Sequence, residues 1–190
     1  MLVLKPLRKP LRGYLGLLRS LIGRLLVAVG WFRVPPVVVV SPGGAGTTAI
    51  LTFLEEQGIS CNRVGDQDGL KHLASPAMLP DDTRVIFLAS NLGETLMSLG
   101  RRGLLRRQTI KISGLKNLFV RYSTLVSNFE KAFLAQHANF AAREDTLLLH
   151  YDRLFESGNE LADYLGANER FRQQFPRRKT RYSVGFEENH

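Results

Sequence analysis

Val37-Val38-Val39-Val40-Ser41-Pro42-Gly43-Gly44-Ala45-Gly46-Thr47-Thr48 decides the reading of this chain. Four consecutive β-branched residues predict a short strand buried on both faces. The strand runs into a glycine-rich turn, and Ala49 to Gln57 continue with helical apolar spacing up to Gly58. Strand, glycine loop and helix are the order in which an α/β fold builds a phosphate cradle. Glycines let the backbone come close to an anion, and the N–H groups opening the helix point at it. Gly43, Gly44, Ala45, Gly46, Thr47 and Thr48 are therefore the candidate phosphate-binding residues. The plain alternative is a tight strand-to-helix connection.

The chain has 190 residues, the size of one domain, with 44% hydrophobic and 23% charged residues, close to globular averages. Its net charge of +9 is unevenly spread. No Asp or Glu precedes Glu55, whereas Lys5, Arg8, Lys9, Arg12, Arg19, Arg24 and Arg33 all do. The remainder is nearly neutral, which argues against a nucleic-acid partner, since such domains spread basic side chains over the folded face. The single Cys61 excludes an internal disulfide and reads as a small core residue, and the four His residues show no zinc spacing. A reducing, cytoplasmic compartment suits this composition, with no metal expected.

Leu4, Leu7, Leu11, Leu15, Leu18, Leu21 and Leu25 recur every three or four residues and predict a basic amphipathic helix over residues 1–33. Leu21 to Phe32 falls short of the ~20 apolar residues that span a bilayer. The helix suits the surface of an anionic membrane, making the protein peripheral there. Its leucines could instead pack on the chain's own core or on a second subunit, or the segment could be a cleaved organelle presequence. No small-residue cleavage site suggests secretion.

Ile59 to Val64, Val85 to Leu88 and Thr146 to His150 predict further strands, neighbouring and mainly parallel with Val37 to Val40. Asn91 to Arg102 predicts a helix. Within Leu115 to Phe140, Leu118, Tyr122, Leu125, Phe129 and Phe133 form a helical core stripe. The fold class is α/β: a three-layer, P-loop-like domain with a mainly parallel central sheet over 34–175. The N-terminal amphipathic helix precedes it and a basic tail, 176–190, follows it.

A Walker A loop has a lysine before its final Ser or Thr, and the deviant form has another before the paired glycines. Here those positions are Thr47 and Pro42. Without a cation for the β and γ phosphates, ATP hydrolysis is disfavoured. The loop instead resembles the 5′-phosphosulfate loop of sulfotransferases, Lys-Ser-Gly-Thr-Thr between strand and helix, which Ala45-Gly46-Thr47-Thr48 follows. Ser90 ends the strand that in that family ends in Arg, and Ser98 stands eight residues on, where the family has a serine. Tyr151-Asp152-Arg153-Leu154 and Tyr164-Leu165-Gly166 are similar to its "YEDL" and "FLG" segments. The resemblance brackets most of Val37 to Gly166.

It implies 3′-phosphoadenosine 5′-phosphosulfate as donor, a hydroxyl acceptor such as a carbohydrate, and a 3′-phosphate site at Ser90 and Ser98. Two departures remove positive charge: Gly44 stands where the family's loop lysine would be, and Ser90 where its arginine would be. Arg102, one helical turn beyond Ser98, is the leading substitute cation, with Arg101 directed to solvent. Arg178, within Arg177-Arg178-Lys179, would act like the family's C-terminal basic clamp. Lys71 could replace the loop lysine, and His72 or Asp68 could take the acceptor's proton, because their loop lies at the ligand-binding end of a parallel sheet. The alternative for Asp66 to His72 is a solvated polar loop. The competing functions are a non-catalytic nucleotide-binding or membrane-associated scaffold and, third, a nucleotide kinase or ATPase.

Overall fold

The structure is a computed structural model that describes residues 8–176, with side chains from residue 13 onward. Arg178 and its basic neighbours lie outside the described residues, as do Leu4 and Leu7. The architecture is α/β, built on an open parallel sheet of three strands, β1 (Val37–Val40), β2 (Arg84–Ala89) and β3 (Thr146–His150), in that order. Val40 pairs with Phe87 and Ala89 with His150, so the three strands end together at the edge that carries the glycine loop.

Alternation along the strands feeds two cores. Val37, Val39, Ile86, Leu88 and Leu149 pack with helix α2 (Thr47–Glu56) and with Leu161, Phe171 and Phe175. Val38, Val40, Val85 and Phe87 pack instead with Leu70, Leu73, Phe140 and Val27. All four valines of β1 are buried, as a strand covered on both faces requires. A third cluster joins α3 (Leu92–Arg101), α4 (Leu105–Ser113) and α5 (Tyr122–Ala141) through Leu99, Leu105, Ile112, Leu125, Phe129 and Phe133.

Ile59 to Val64 is not a strand. Only Cys61 forms an isolated parallel bridge to Val37. The Asn62 amide takes both Val39 backbone groups, accepting from its N–H at 2.7 Å and donating to its carbonyl at 3.0 Å. A side chain thus saturates the free edge of β1, and Asp68 diverts the next amide, Arg63 N–H, at 2.6 Å. The Cys61 thiol is pushed up to about 11 by burial and by the Glu55 and Asp68 carboxylates, so it stays protonated. The stripe read from Leu118 begins later: α5 starts at Tyr122, which is itself exposed, and buries Leu125, Phe129, Phe133 and Phe140.

The basic helix, α1 (Arg8–Ala28), packs on the sheet domain, but through Leu17, Ser20, Gly23, Arg24 and Val27 rather than through the leucine stripe. A Cβ at Gly23 would lie 1.9 Å from the Gln67 carbonyl oxygen, so the two backbones touch there. Leu15, Leu18 and Leu25 of the stripe are exposed. Gly30, at φ 77°, ends the helix, with the Trp31 N–H donating back to the Leu26 carbonyl. Among the described residues no helix is long and apolar enough to cross a membrane.

Candidate functional site

The loop after β1 has Gly43, Gly44 and Gly46 at φ 111°, 75° and 74°. Gly46 is the N-cap of α2, and no side chain caps that helix. Inside the turn, the Ser41 and Thr47 hydroxyls share a 2.6 Å hydrogen bond, and the Gly43 N–H donates to Ser41 Oγ. The N–H groups of Gly44, Ala45, Gly46, Thr47 and Thr48 meet no acceptor among the described residues. The first N–H groups of a helix have no partner within it and are met by side chains, water or a ligand, and here no side chain among the described residues takes that place.

A cavity of about 680 Å³ opens over this run, lined by Gly43, Gly44, Gly46, Thr47, Thr48, Lys71, His72, Arg102, Gln108 and Tyr151. Ala45 alone of the loop turns its methyl into the core. Gly46 is held against the ring of Tyr151 and against Leu154, which a Cβ would approach to 3.2 and 2.8 Å.

Among the described residues, Lys71 and Arg102 reach the loop. Lys71, only 8% exposed, donates from Nζ to Thr48 Oγ1 at 2.8 Å and to the Val64 carbonyl at 3.0 Å. Burial lowers its pKa from the ordinary lysine value, with Lys111 adding to that and Asp66 and Asp68 opposing it. Arg102 caps α3 and donates from Nε to the Ser98 carbonyl at 3.0 Å, which sends Nη2 to within 3.3 Å of where a Cβ on Gly44 would stand. Ser98 Oγ lies 3.7 Å from the same point.

Ser90 and Ser98 line an adjoining cleft of about 480 Å³ with Gly44, Arg102, Tyr151 and Arg101. Arg101, expected to face solvent only, is exposed and also borders this cleft. The Ser90 hydroxyl pairs with Thr95 Oγ1 at 2.8 Å.

His72 is buried but still borders the cavity, and its Nδ1 lies 2.9 Å from the Ser41 carbonyl. A carbonyl only accepts, so Nδ1 carries the proton and Nε2 the lone pair. Burial drives the His72 pKa down to about 4, further lowered by Lys111 and Lys71 and opposed by Asp66, so the imidazole is neutral. Asp68 stands apart from the cavity. Its carboxylate accepts from Arg63 N–H and Leu70 N–H, holding its own turn, and burial raises its pKa.

Beneath the site, Asp66 accepts from Lys111 at 2.5 Å, from the Ser20 hydroxyl at 2.8 Å and from Lys71 N–H at 3.1 Å. Burial alone would raise its carboxyl, but His72, Lys111 and these hydrogen bonds bring it below the usual value. Arg24 of α1 donates to the Gly69, His72 and Lys111 carbonyls. The segment that carries Lys71 and His72 is thus tied to α1, and is not a solvated loop.

Sequence reasoning misses Gln108. It is 7% exposed, lines the cavity against Gly43, and its amide nitrogen has no hydrogen-bond partner among the described residues. A buried donor without an acceptor is costly, about 1–3 kcal/mol, unless something else supplies an oxygen. Tyr151 stands out in the sequence only within the segment similar to "YEDL", whereas in the structure its ring lines the cavity. Comparison of the chain with protein-family models, with curated proteins and with solved structures finds no match.

Proposed function

We propose that the chain is a P-loop-like, three-layer domain that holds a nucleotide phosphate in the Ser41–Thr48 loop. The observation that carries this reading is the set of donors beside one cavity that have no partner among the described residues: the Gly44 to Thr48 amides and the Gln108 amide, flanked by Lys71 and Arg102. An anion with several oxygens would satisfy them together.

The nucleotide that the sulfotransferase resemblance implies is 3′-phosphoadenosine 5′-phosphosulfate. Its 5′ end would meet the loop and Lys71, and its 3′-phosphate Ser90, Ser98 and Arg102. The reaction is then sulfuryl transfer to a hydroxyl acceptor such as a carbohydrate. The acceptor oxygen forms a bond to sulfur as the sulfur–oxygen bond to the 5′-phosphate breaks, and adenosine 3′,5′-bisphosphate leaves. The acceptor's proton passes to His72 Nε2, whose basicity rises when a dianionic group enters the cavity. Charge stabilisation by fixed donors supplies most of the rate.

Calorimetric titration with adenosine 3′,5′-bisphosphate and with ATP tests the proposal. Tighter binding of the bisphosphate is expected. Tighter binding of ATP would favour a nucleotide kinase or ATPase, and binding of neither would remove the phosphate reading. A second reading, nucleotide binding without turnover, is favoured by the low basicity of His72 and by Asp68 being engaged with its own turn. Release of bisphosphate in the presence of acceptor separates the two.

A further inference from the structure

By packing on the domain through Leu17, Ser20, Arg24 and Val27, α1 turns a second face outward. Leu15, Leu18, Ile22, Leu25 and Val29 are all exposed, at spacings of three and four, and form one stripe about 20 Å long at 1.5 Å per residue. Just beyond it the turn after Gly30 presents Trp31, 79% exposed, and Phe32. A run of large apolar side chains held in water on a rigid helix is a surface built for a partner.

The charges around the stripe identify the partner's chemistry. Arg19 and Arg33 are exposed, and no carboxylate precedes Glu55 in the sequence. A second copy docked through the same face would bring two arginine-bearing helices together with no acid on either helix to offset them. A bilayer with anionic headgroups meets both features at once: acyl chains take the leucines, headgroups take the arginines, and the indole of Trp31 sits at the boundary.

We propose that the exposed face of α1, with Trp31, docks on an anionic lipid bilayer. The helix lies in the interface, with its inner face still bonded to the domain. Because Arg24 holds the Gly69 and His72 carbonyls and Ser20 holds Asp66, docking of α1 ties the Lys71–His72 segment to the bilayer surface.

Flotation of the full chain with vesicles of phosphatidylcholine alone, or with about one third phosphatidylglycerol, tests this. Binding to the anionic vesicles only is expected, weakening strongly at about 0.5 M salt. Leu18→Gln with Leu25→Gln should weaken it by about ten-fold or more, and Arg19→Glu with Arg33→Glu comparably. These side chains are exposed, so the variants should keep the parent circular dichroism and melting temperature. Equal binding to both vesicle types, no binding, or a dimer in solution that Leu18→Gln with Leu25→Gln dissociates would overturn the proposal. An unchanged affinity of the leucine variant would overturn it too.

Discussion

The Lys71 ammonium donates to the Thr48 hydroxyl across 2.8 Å, bringing a cation from 23 residues downstream to the first turn of α2. The glycine loop itself carries no charged side chain, so this contact gives its helix end a positive neighbour. Lys71→Met should therefore weaken bisphosphate binding by about 1.5–3 kcal/mol, the range for a hydrogen bond to a charged group. In the parent, burial lowers the Lys71 pKa, so affinity should fall as pH rises through that lowered value, before an ordinary lysine would lose its charge. Titration calorimetry across pH reads both effects. Parent affinity and a parent pH profile in the Lys71→Met variant would place the phosphate elsewhere.

Arg102 reaches Gly44, and Arg101 borders only the adjoining cleft. Arg102→Ala should reduce bisphosphate affinity by about 1.5–3 kcal/mol, with Arg101→Ala costing clearly less. Equal small losses from the two would detach α3 from the site.

His72 should make the fold acid-sensitive. Its folded pKa, about 4, lies below the ordinary 6.5, so the unfolded chain binds a proton in that window that the native chain refuses. Stability is therefore complete above about pH 6.5 and declines as pH falls toward 4, by about 3 kcal/mol in all. Asp66, with a lowered pKa, adds its own loss only below the ordinary carboxylate value. His72→Asn can keep the donation to the Ser41 carbonyl while removing the titration. Its melting temperature should vary less between pH 6.5 and 4 than the parent's, and parallel curves would contradict the assignment.

Gly44 and Gly46 share a left-handed backbone but differ in surroundings. At Gly46 a methyl would press on Leu154 and Tyr151 as well as strain φ, costing about 2 kcal/mol or more and about 4 °C or more of Tm. At Gly44 the nearest atom is the movable Arg102 guanidinium, 3.3 Å away, so Gly44→Ala should cost about 1 kcal/mol while impairing bisphosphate binding more. Thermal melts of the two variants decide, and equal Tm losses would sink the distinction.

Local pattern was enough for β1, the glycine loop, α2, β2 and β3, because four β-branched valines, a cluster of glycines and apolar alternation each restrict the backbone within a few residues. Lys71, His72 and Arg102 line the cavity beside the glycine loop, but Lys71 and His72 are expected there only if Ile59 to Val64 is a strand, which does not form, and Arg102 follows from its helical spacing to Ser98. Local pattern failed at Ile59 to Val64, where the Asn62 side chain takes the place of a strand ladder, a contact 23 residues long in sequence. Gln108 carried no local signal: a glutamine on a helix is ordinary until α4 packs it against Gly43 and leaves its amide unpaired. The orientation of α1 was likewise undetermined, because several helical faces could be buried. Only the meeting of Ser20 with Asp66, and of Arg24 with the carbonyls of Gly69 and His72, chose the face that also carries Leu17 and Val27 for the domain and left Leu15, Leu18 and Leu25 outside. Periodicity records which residues share a face, while the partner surface decides which face is covered, and that surface exists only once the chain has folded.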